Sequence, residues 1–305
     1  MFTAADCVMQ GSVIPEELLA PMVEVQWSDA VEHQQLHKLF EEHGYILVRG
    51  ALDVDEALAA RQEVFDRLVE VGEIREPAIE GIATGESHRV ERTESLGEFW
   101  QSVSEGSALR VASHGARIRQ VMDTLYGEES RPHDFMFLRP SVVGRATQLH
   151  YDLPFFARGS QRIVTVWSAL GDIPVCDGSL AVVEGSHKFK DLIEPVRQID
   201  YDSKDSPQVQ LLGDAVPFLR ERESRFLTTD FRVGDIVIFS MTTLHGTLDN
   251  HSPIQRARLS SDVRWQPAAD PMDERYFGPN PAGTTGIGYA ELNGAKPLTQ
   301  DWHTR

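Results

Sequence analysis

Hydrophobic and polar positions change rhythm part-way along this chain. Up to about residue 130 the apolar residues recur at helical spacing, and beyond residue 133 they fall into short alternating or continuous runs broken by turn residues. In the first part, Leu36, Leu39 and Phe40 predict a helix over Gln34 to Glu42, with His43-Gly44 at its end and a short strand at Tyr45-Ile46-Leu47-Val48. Asp53 followed three residues later by Glu56 reads as an N-cap with a capping-box partner. It opens a helix that carries Leu58, Phe65, Leu68 and Val69 on one side. Residues 76–106 are polar and glycine-containing and read as loop with short helices. Ile118, Val121, Met122 and Leu125 mark a further amphipathic helix that Gly127 is placed to end.

The second part supplies strand candidates at Phe135 to Leu138, Leu149 to Leu153, Ile163 to Leu170, Leu180 to Val183, Phe226 to Thr229, Ile236 to Phe239 and Leu259 to Trp265. A series of short strands at this spacing predicts a sandwich or barrel. Residues 188–224 interrupt it as a charged, irregular insertion, and the Gly- and Pro-rich tail after Pro267 reads as coil. With no repeat, low-complexity tract or strong linker, the expectation is a single α+β domain over 1–305. Its helical N-terminal part would run to about residue 130, flanking a double-stranded β-helix (jelly-roll or cupin-like) core over about 133–267.

Composition narrows the function classes. The chain has 305 residues, 41% of them hydrophobic, enough to bury a substantial core. A net charge of −18 argues against nucleic acid or an anionic membrane as partner, since both call for basic surfaces. Cys7 and Cys176 cannot build a disulfide framework, and the absence of a CxxC pair argues against thiolate zinc. The N-terminus lacks the basic-then-apolar pattern of a secretory signal, and no apolar run approaches a membrane span. The expectation is a soluble cytoplasmic protein.

Candidate chemistry centres on His150-Tyr151-Asp152, in the stretch Thr147-Gln148-Leu149-His150-Tyr151-Asp152-Leu153-Pro154-Phe155-Phe156. On a strand, residues two apart share a side, so the imidazole and the carboxylate would converge while Tyr151 faces away. The flanking apolar positions make an unpaired charge there costly, and a metal would offset the cost. A surface ion pair is the competing reading. His245 follows the apolar run Ile236 to Phe239 and precedes Gly246, which gives it room to reach a site at a barrel mouth; a core histidine bonded to backbone is the alternative. Two histidines and one carboxylate on one face of a metal are the ligand set of non-heme Fe(II) oxygenases. Arg256, Arg258, Ser260, Asp262 and Arg264 alternate, so on a strand they share a face and need anionic partners: Asp262, or a dicarboxylate gripped by an arginine. A solvated edge strand with ion pairs would also account for them. His187 reads as a turn residue, and His133 as one that could reach a pocket. Arg139, Arg145, Arg158 and Arg162 flank the His150 strand and read chiefly as surface charge.

These segments together resemble the phytanoyl-CoA dioxygenase family of Fe(II)/2-oxoglutarate oxygenases. The resemblance opens at Glu42-His43-Gly44-Tyr45-Ile46-Leu47-Val48-Arg49-Gly50 and is densest over Gln148 to Phe156. It continues through Val164 to Leu170 and Asp177 to Lys188, and closes with Arg232-Val233-Gly234-Asp235, His245 to Ser252 and Arg258 to Trp265. It implies that His150, Asp152 and His245 hold Fe(II), with 2-oxoglutarate as cosubstrate and O2 as oxidant. It also implies that Trp167 lines the cosubstrate pocket and that Thr165, two residues earlier, hydrogen-bonds the cosubstrate. Gln148 joins the same set. The arginine for the distal carboxylate is Arg256 if positions are counted from His245, and Arg258 if the Arg-Leu-Ser-x-Asp-Val-Arg run is matched. Arg258 is preferred, because loops absorb insertions more readily than strands. The implied activity is a hydroxylation that releases succinate and CO2. Retention of Asp152 points away from halogenation, in which the related enzymes lack the carboxylate. The family turn Pro-Gly-Ser-His has Glu184 in place of proline, and the insertion and tail have no firm counterpart. A non-catalytic small-molecule binder on this fold, or a cupin-like metalloenzyme that does not use 2-oxoglutarate, are the competing functions.

Overall fold

The computed structural model describes residues 7–201, 210, 211 and 214–300. Two facing sheets form its centre. The larger runs in the order Glu24–Gln26, Tyr45–Arg49, Ile236–Ser240, Val164–Ala169 and Arg258–Pro267. The last of these pairs along its length with both Phe137–Ser141 and Ser130–Pro132. The smaller sheet runs Gln210–Leu211, Leu149–His150, His245–Thr247, Leu180–Val183, Phe226–Leu227 and Leu19–Ala20. This is the double-stranded β-helix arrangement expected from the run of short strands.

Strand periodicity of two explains how the layers stack. In the larger sheet Ile46, Val48, Val166, Ile236, Ile238, Val263 and Trp265 face outward. There they join a core with Val64, Phe65 and Leu68 of the helix Val54–Glu70 and Ile118, Val121 and Met122 of the helix Ala116–Tyr126. The alternate residues Tyr45, Leu47, Trp167, Ala169, Val237 and Phe239 face inward and meet Leu180, Val182 and Leu227 of the smaller sheet. Val164–Ala169 and Arg258–Pro267 are therefore buried on both faces. On Arg258–Pro267, however, the inward set is Arg258, Ser260, Asp262 and Arg264. An interior strand with one wholly polar face is the fold's main departure from apolar packing, and it marks where the chemistry sits.

Helix ends follow the local signals in the sequence. Asp53 caps the helix Val54–Glu70 by accepting from the amides of Asp55 and Glu56. The helices His33–His43 and Ala116–Tyr126 end at Gly44 and Gly127 in left-handed conformation. The N-terminal part, mainly helical with the expected strand at Tyr45–Arg49, also supplies Leu19–Ala20 and Glu24–Gln26 as edge strands in parallel to the two sheets. Two expectations need correction. The insertion is less irregular than its sequence suggests, since Lys190–Arg197 and Ala215–Glu221 are helices; 202–209 and 212–213 lie outside the described residues. The strand at Leu149 stops at His150, because Asp152 turns to helical φ and ψ ahead of the short 3-10 helix Leu153–Phe156.

Candidate metal centre

His150 and His245 lie directly opposite each other on neighbouring antiparallel strands, with ring centroids 4.3 Å apart. That approach depends on Gly246. A Cβ there would fall 2.6 Å from the carbonyl oxygen of Thr147, so any side chain would force the two strands apart. Asp152 reaches the same point by the turn that ends its strand, not by strand alternation. Tyr151 does face away, into the outer apolar cluster, with its hydroxyl on the Ser186 carbonyl at 3.2 Å. One ligand atom from each of His150, Asp152 and His245 lies within 4.8 Å of the others, and all three residues are buried.

Each donor is oriented by a fixed partner. Nδ1 of His150 contacts the Gln148 carbonyl at 2.7 Å, and Nδ1 of His245 contacts the Thr243 carbonyl at 3.0 Å. A carbonyl can only accept, so both rings carry a proton on Nδ1 and turn Nε2 toward the cluster. On Asp152, Oδ2 accepts from Arg264 Nη2 at 2.7 Å and from Thr165 Oγ1 at 2.6 Å, while Oδ1 stands 3.5 Å from His150 Nε2. The arginine is itself held between the rings of Phe137 and Phe156, at 4.2 and 4.5 Å from their centroids.

The electrostatics favour the ligating forms. Burial pushes the Asp152 carboxyl up, but Arg264 and the two histidines outweigh it and hold the group well below the usual carboxylate range. Burial, reinforced by the neighbouring His150, lowers His245 to about 4, so its imidazole is neutral. One imidazole nitrogen from each histidine and one carboxylate oxygen, each with its second atom already bonded, fit a divalent metal that keeps open coordination positions.

The remaining sequence candidates divide. Gln148 lines, with His150 and Asp152, a cavity of about 480 Å³ that is also walled by Phe137, Arg139, Phe155 and Arg264. Thr165 donates its hydroxyl to Asp152 Oδ2, beside the cluster. Trp167 and Arg258 lie inside the sheets and do not line this cavity. Trp167 packs on Phe231 at 4.7 Å, with its Nε1 unpartnered. Arg258 is buried, which lowers its guanidinium to about 10; Nη1 donates to Ser260 Oγ at 2.6 Å, while Nε and Nη2 find no partner. Arg256 sits outside the strand, paired with Asp177 at 3.1 Å. The arginine row is therefore no solvated edge, and Asp262 is not the partner of its arginines. Asp262 bonds Arg139, and Arg264 bonds Asp152. The Arg264–Asp152 link was missed, although the alternation that put Arg264 on the inward face was its signal. Other residues keep structural roles. His133 is a core histidine against Gln266 and Tyr276, His187 lies in a 3-10 turn, and Arg158 and Arg162 make surface ion pairs.

A family model described as phytanoyl-CoA dioxygenase matches residues 40–258. Among characterised proteins, a 1-deoxypentalenic acid 11-beta-hydroxylase of Streptomyces exfoliatus is 25% identical over 253 residues, which span 78% of this chain and 82% of that protein. Solved structures with the same fold include EctD from S. alaskensis, at TM-score 0.53 and 16% identity over 92% of each chain. They also include the alpha ketoglutarate dependent carbocyclase SnoK of nogalamycin biosynthesis, at TM-score 0.51 and 20% identity over 82% of this chain and 88% of SnoK. Among the described residues no helix is long and apolar enough to cross a membrane. With the match extending over the paired strands that carry both histidines and the carboxylate, the chain belongs to the phytanoyl-CoA dioxygenase family of iron- and 2-oxoglutarate-dependent oxygenases.

Proposed function

We propose that this protein hydroxylates an unactivated C–H bond of a small molecule, as a single-domain enzyme that converts 2-oxoglutarate to succinate and CO2. The observation that carries the reading is the buried cluster of His150, Asp152 and His245, with both Nδ1 atoms tied to backbone carbonyls. In this reading those three residues hold iron. The chemistry the bound iron supplies is O2 activation coupled to decarboxylation of the cosubstrate.

The protein's own residues do the rest. Arg264 and Thr165 fix Oδ2 of Asp152 and leave Oδ1 for the metal. Arg258 receives the distal carboxylate of 2-oxoglutarate. Its two unpartnered N–H groups are what a carboxylate would satisfy, whereas Arg256 already has Asp177. Trp167, with its free indole N–H two residues from Thr165, borders the cosubstrate, and Gln148 stands at the cavity wall beside His150. The cavity is of small-molecule size, and its aromatic wall of Phe137, Phe155 and Phe156 excludes water from the reacting bond. Because the chain keeps Asp152, the outcome is oxygen transfer and not halogenation.

The test is succinate formation from 2-oxoglutarate with Fe(II), ascorbate and air, screened across a small-molecule panel. The expected result is substrate-stimulated succinate that Asp152→Ala abolishes. Full turnover in Asp152→Ala would remove the triad assignment. Metal binding without any 2-oxoglutarate consumption would favour a cupin-like enzyme of another kind.

A further inference from the structure

The cavity has a wall that the family match does not reach. Thr284, Glu291, Leu292 and Asn293 line it, and all four lie beyond residue 258. This segment has little regular structure, only the short 3-10 turns Gly288–Glu291 and Asn293–Ala295, so its position must be imposed from outside. The fully buried Arg89 does this. Its Nη1 donates to the carbonyls of Gly294 at 2.6 Å and Lys296 at 2.9 Å, and its Nη2 pairs with Glu73. Glu73 in turn accepts from the Leu298 amide at 3.1 Å and from Ser87 Oγ at 2.7 Å. Gly294 lies so close to Trp100 that a Cβ would fall 2.3 Å from the indole. A buried ion pair adds little net stability when intact and is costly to break, so its main effect is to fix geometry. Here the geometry it fixes is that of the cavity wall.

The charges at the cavity are unevenly matched. Both of its arginines are occupied, Arg264 by Asp152 and Arg139 by Asp262. Two further lining carboxylates, Glu291 and Asp249, have no ion-pair partner among the described residues. Glu291 accepts from the amides of Thr284 at 2.9 Å and Thr285 at 2.7 Å and from the Thr285 hydroxyl. Asp249 accepts from the amides of Gln10 at 2.9 Å and Gly11 at 2.7 Å. Neutral donors orient these carboxylates without cancelling their charge. A divalent metal and a dicarboxylate cosubstrate cancel each other, and the single charge of Arg258 does not offset two carboxylates, so the balance stays negative. A carboxylate on the substrate would meet like charge there, and an ammonium or hydroxyl would meet acceptors.

We propose that the segment Thr284–Asn293, anchored through the adjoining residues 294–298 that Arg89 and Glu73 clamp, is the specificity wall of the substrate cavity, and that it selects molecules presenting an ammonium or hydroxyl group over carboxylic acids. The proposal rests on the oxygenase reading for its kinetics and for the metal and 2-oxoglutarate present in its binding measurements, but not for its exchange measurements.

The test uses the full chain and a set of compounds sharing one apolar scaffold, with a primary amine, an alcohol or a carboxylic acid at the same position. Binding is measured by anaerobic calorimetry with metal and 2-oxoglutarate present, and succinate formation is followed in parallel. The amine and alcohol are expected to bind at least about tenfold tighter than the acid, a margin of roughly 1.4 kcal/mol. Glu291→Gln is expected to cut the preference for the amine over the alcohol at least about threefold. Arg89→Met should raise KM for the amine about tenfold with kcat much less affected, and should speed amide exchange at 284–298 while the strand Arg258–Pro267 stays protected. If Arg89→Met fails to fold, Gly294→Ala displaces the same wall without stranding a buried charge. Tighter binding of the acid, or a preference that ignores Glu291→Gln, would overturn the selectivity; unchanged exchange in both clamp variants would overturn the clamp. Ordered binding with no succinate from any compound would instead count against the oxygenase reading alone.

Discussion

Arg264 Nη2 donates to Oδ2 of Asp152 at 2.7 Å in the interior between the sheets, so the carboxylate turns its other oxygen toward His150 and His245. The arginine thus sets which oxygen is available to a metal. It also keeps the carboxyl ionised against the burial that would raise it.

Replacing Arg264 by methionine keeps most of the stem between Phe137 and Phe156 but removes the donor. Breaking a buried pair on one side costs about 3–5 kcal/mol, because the other charge is left alone. The metal-free variant should therefore melt well below the parent, and added divalent metal should recover part of the loss. Loss of an orienting partner also lowers metal affinity by about 10–100-fold. Anaerobic titration with Mn(II), read by thermal shift and by electron paramagnetic resonance, checks both. Parent-like affinity in Arg264→Met would show that the Arg264 guanidinium is not needed to orient Asp152.

Arg258 and Arg256 offer a sharper comparison, since the sequence allowed either to be the cosubstrate arginine. Arg258 has two unpartnered N–H groups in the interior, and Arg256 is occupied by Asp177. Hydrogen bonds to a charged group contribute about 1.5–3 kcal/mol, so Arg258→Ala should weaken 2-oxoglutarate binding by about 10–150-fold. Arg256→Ala should leave it within about threefold, a change of under 1 kcal/mol. Calorimetry with metal-loaded, anaerobic protein gives the answer directly. The reverse ranking would move the dicarboxylate site to the strand's outer end.

Gly246→Ala tests how far the metal cluster depends on the close approach of two strands. The added Cβ would fall 2.6 Å from the Thr147 carbonyl, a backbone atom that cannot swing aside. Overpacking of this kind costs about 1–3 kcal/mol. The expected result is a lower melting temperature with metal affinity reduced more than stability, because His245 and His150 separate. A melting loss with unchanged Mn(II) affinity would show that the strands relax elsewhere.

Much of this was legible in the sequence because it follows from short-range rules. The Asp53 cap, the Gly44 and Gly127 helix ends and the strand Leu180–Val183 are local patterns, and the alternation from Arg258 to Arg264 correctly placed those residues on one face. Three residues of the candidate cluster were brought together as expected, but by different means. The periodicity of a strand was invoked for Asp152, and a turn delivers it. Partner choice was the unreadable part. That Thr165 and Arg264 both converge on Asp152 depends on the register of Val164–Ala169 against Arg258–Pro267, which pairs Arg264 with Thr165. Register is a tertiary property and is not encoded in either strand alone. The wall formed by the tail was hidden for a related reason. Its Gly- and Pro-rich composition reads as coil, and only the distant Arg89 and Glu73 give it a fixed place.

His133 carries a pH prediction that is independent of the metal. Burial, only partly offset by the contact with Gln266, lowers its imidazole to about 3 from an ordinary value of 6.5. The folded protein therefore keeps it neutral where the unfolded chain protonates it. Between about pH 6.5 and 3 the unfolded state binds the extra proton, so this residue's contribution to stability is complete above 6.5 and is lost as pH falls toward 3. The slope for one such group is about 1.4 kcal/mol per pH unit. His114, lowered to about 3 by burial and by Arg110, acts in the same direction. Unfolding by urea at a series of pH values between 7 and 4 should show the decline in the metal-free protein, and His133→Gln should flatten it by close to one proton. The variant should start less stable at pH 7, because it breaks the packing against Tyr276 and Phe277, yet converge on the parent as the pH drops. Parallel curves for the two proteins would mean that His133 does not stay neutral in the folded state.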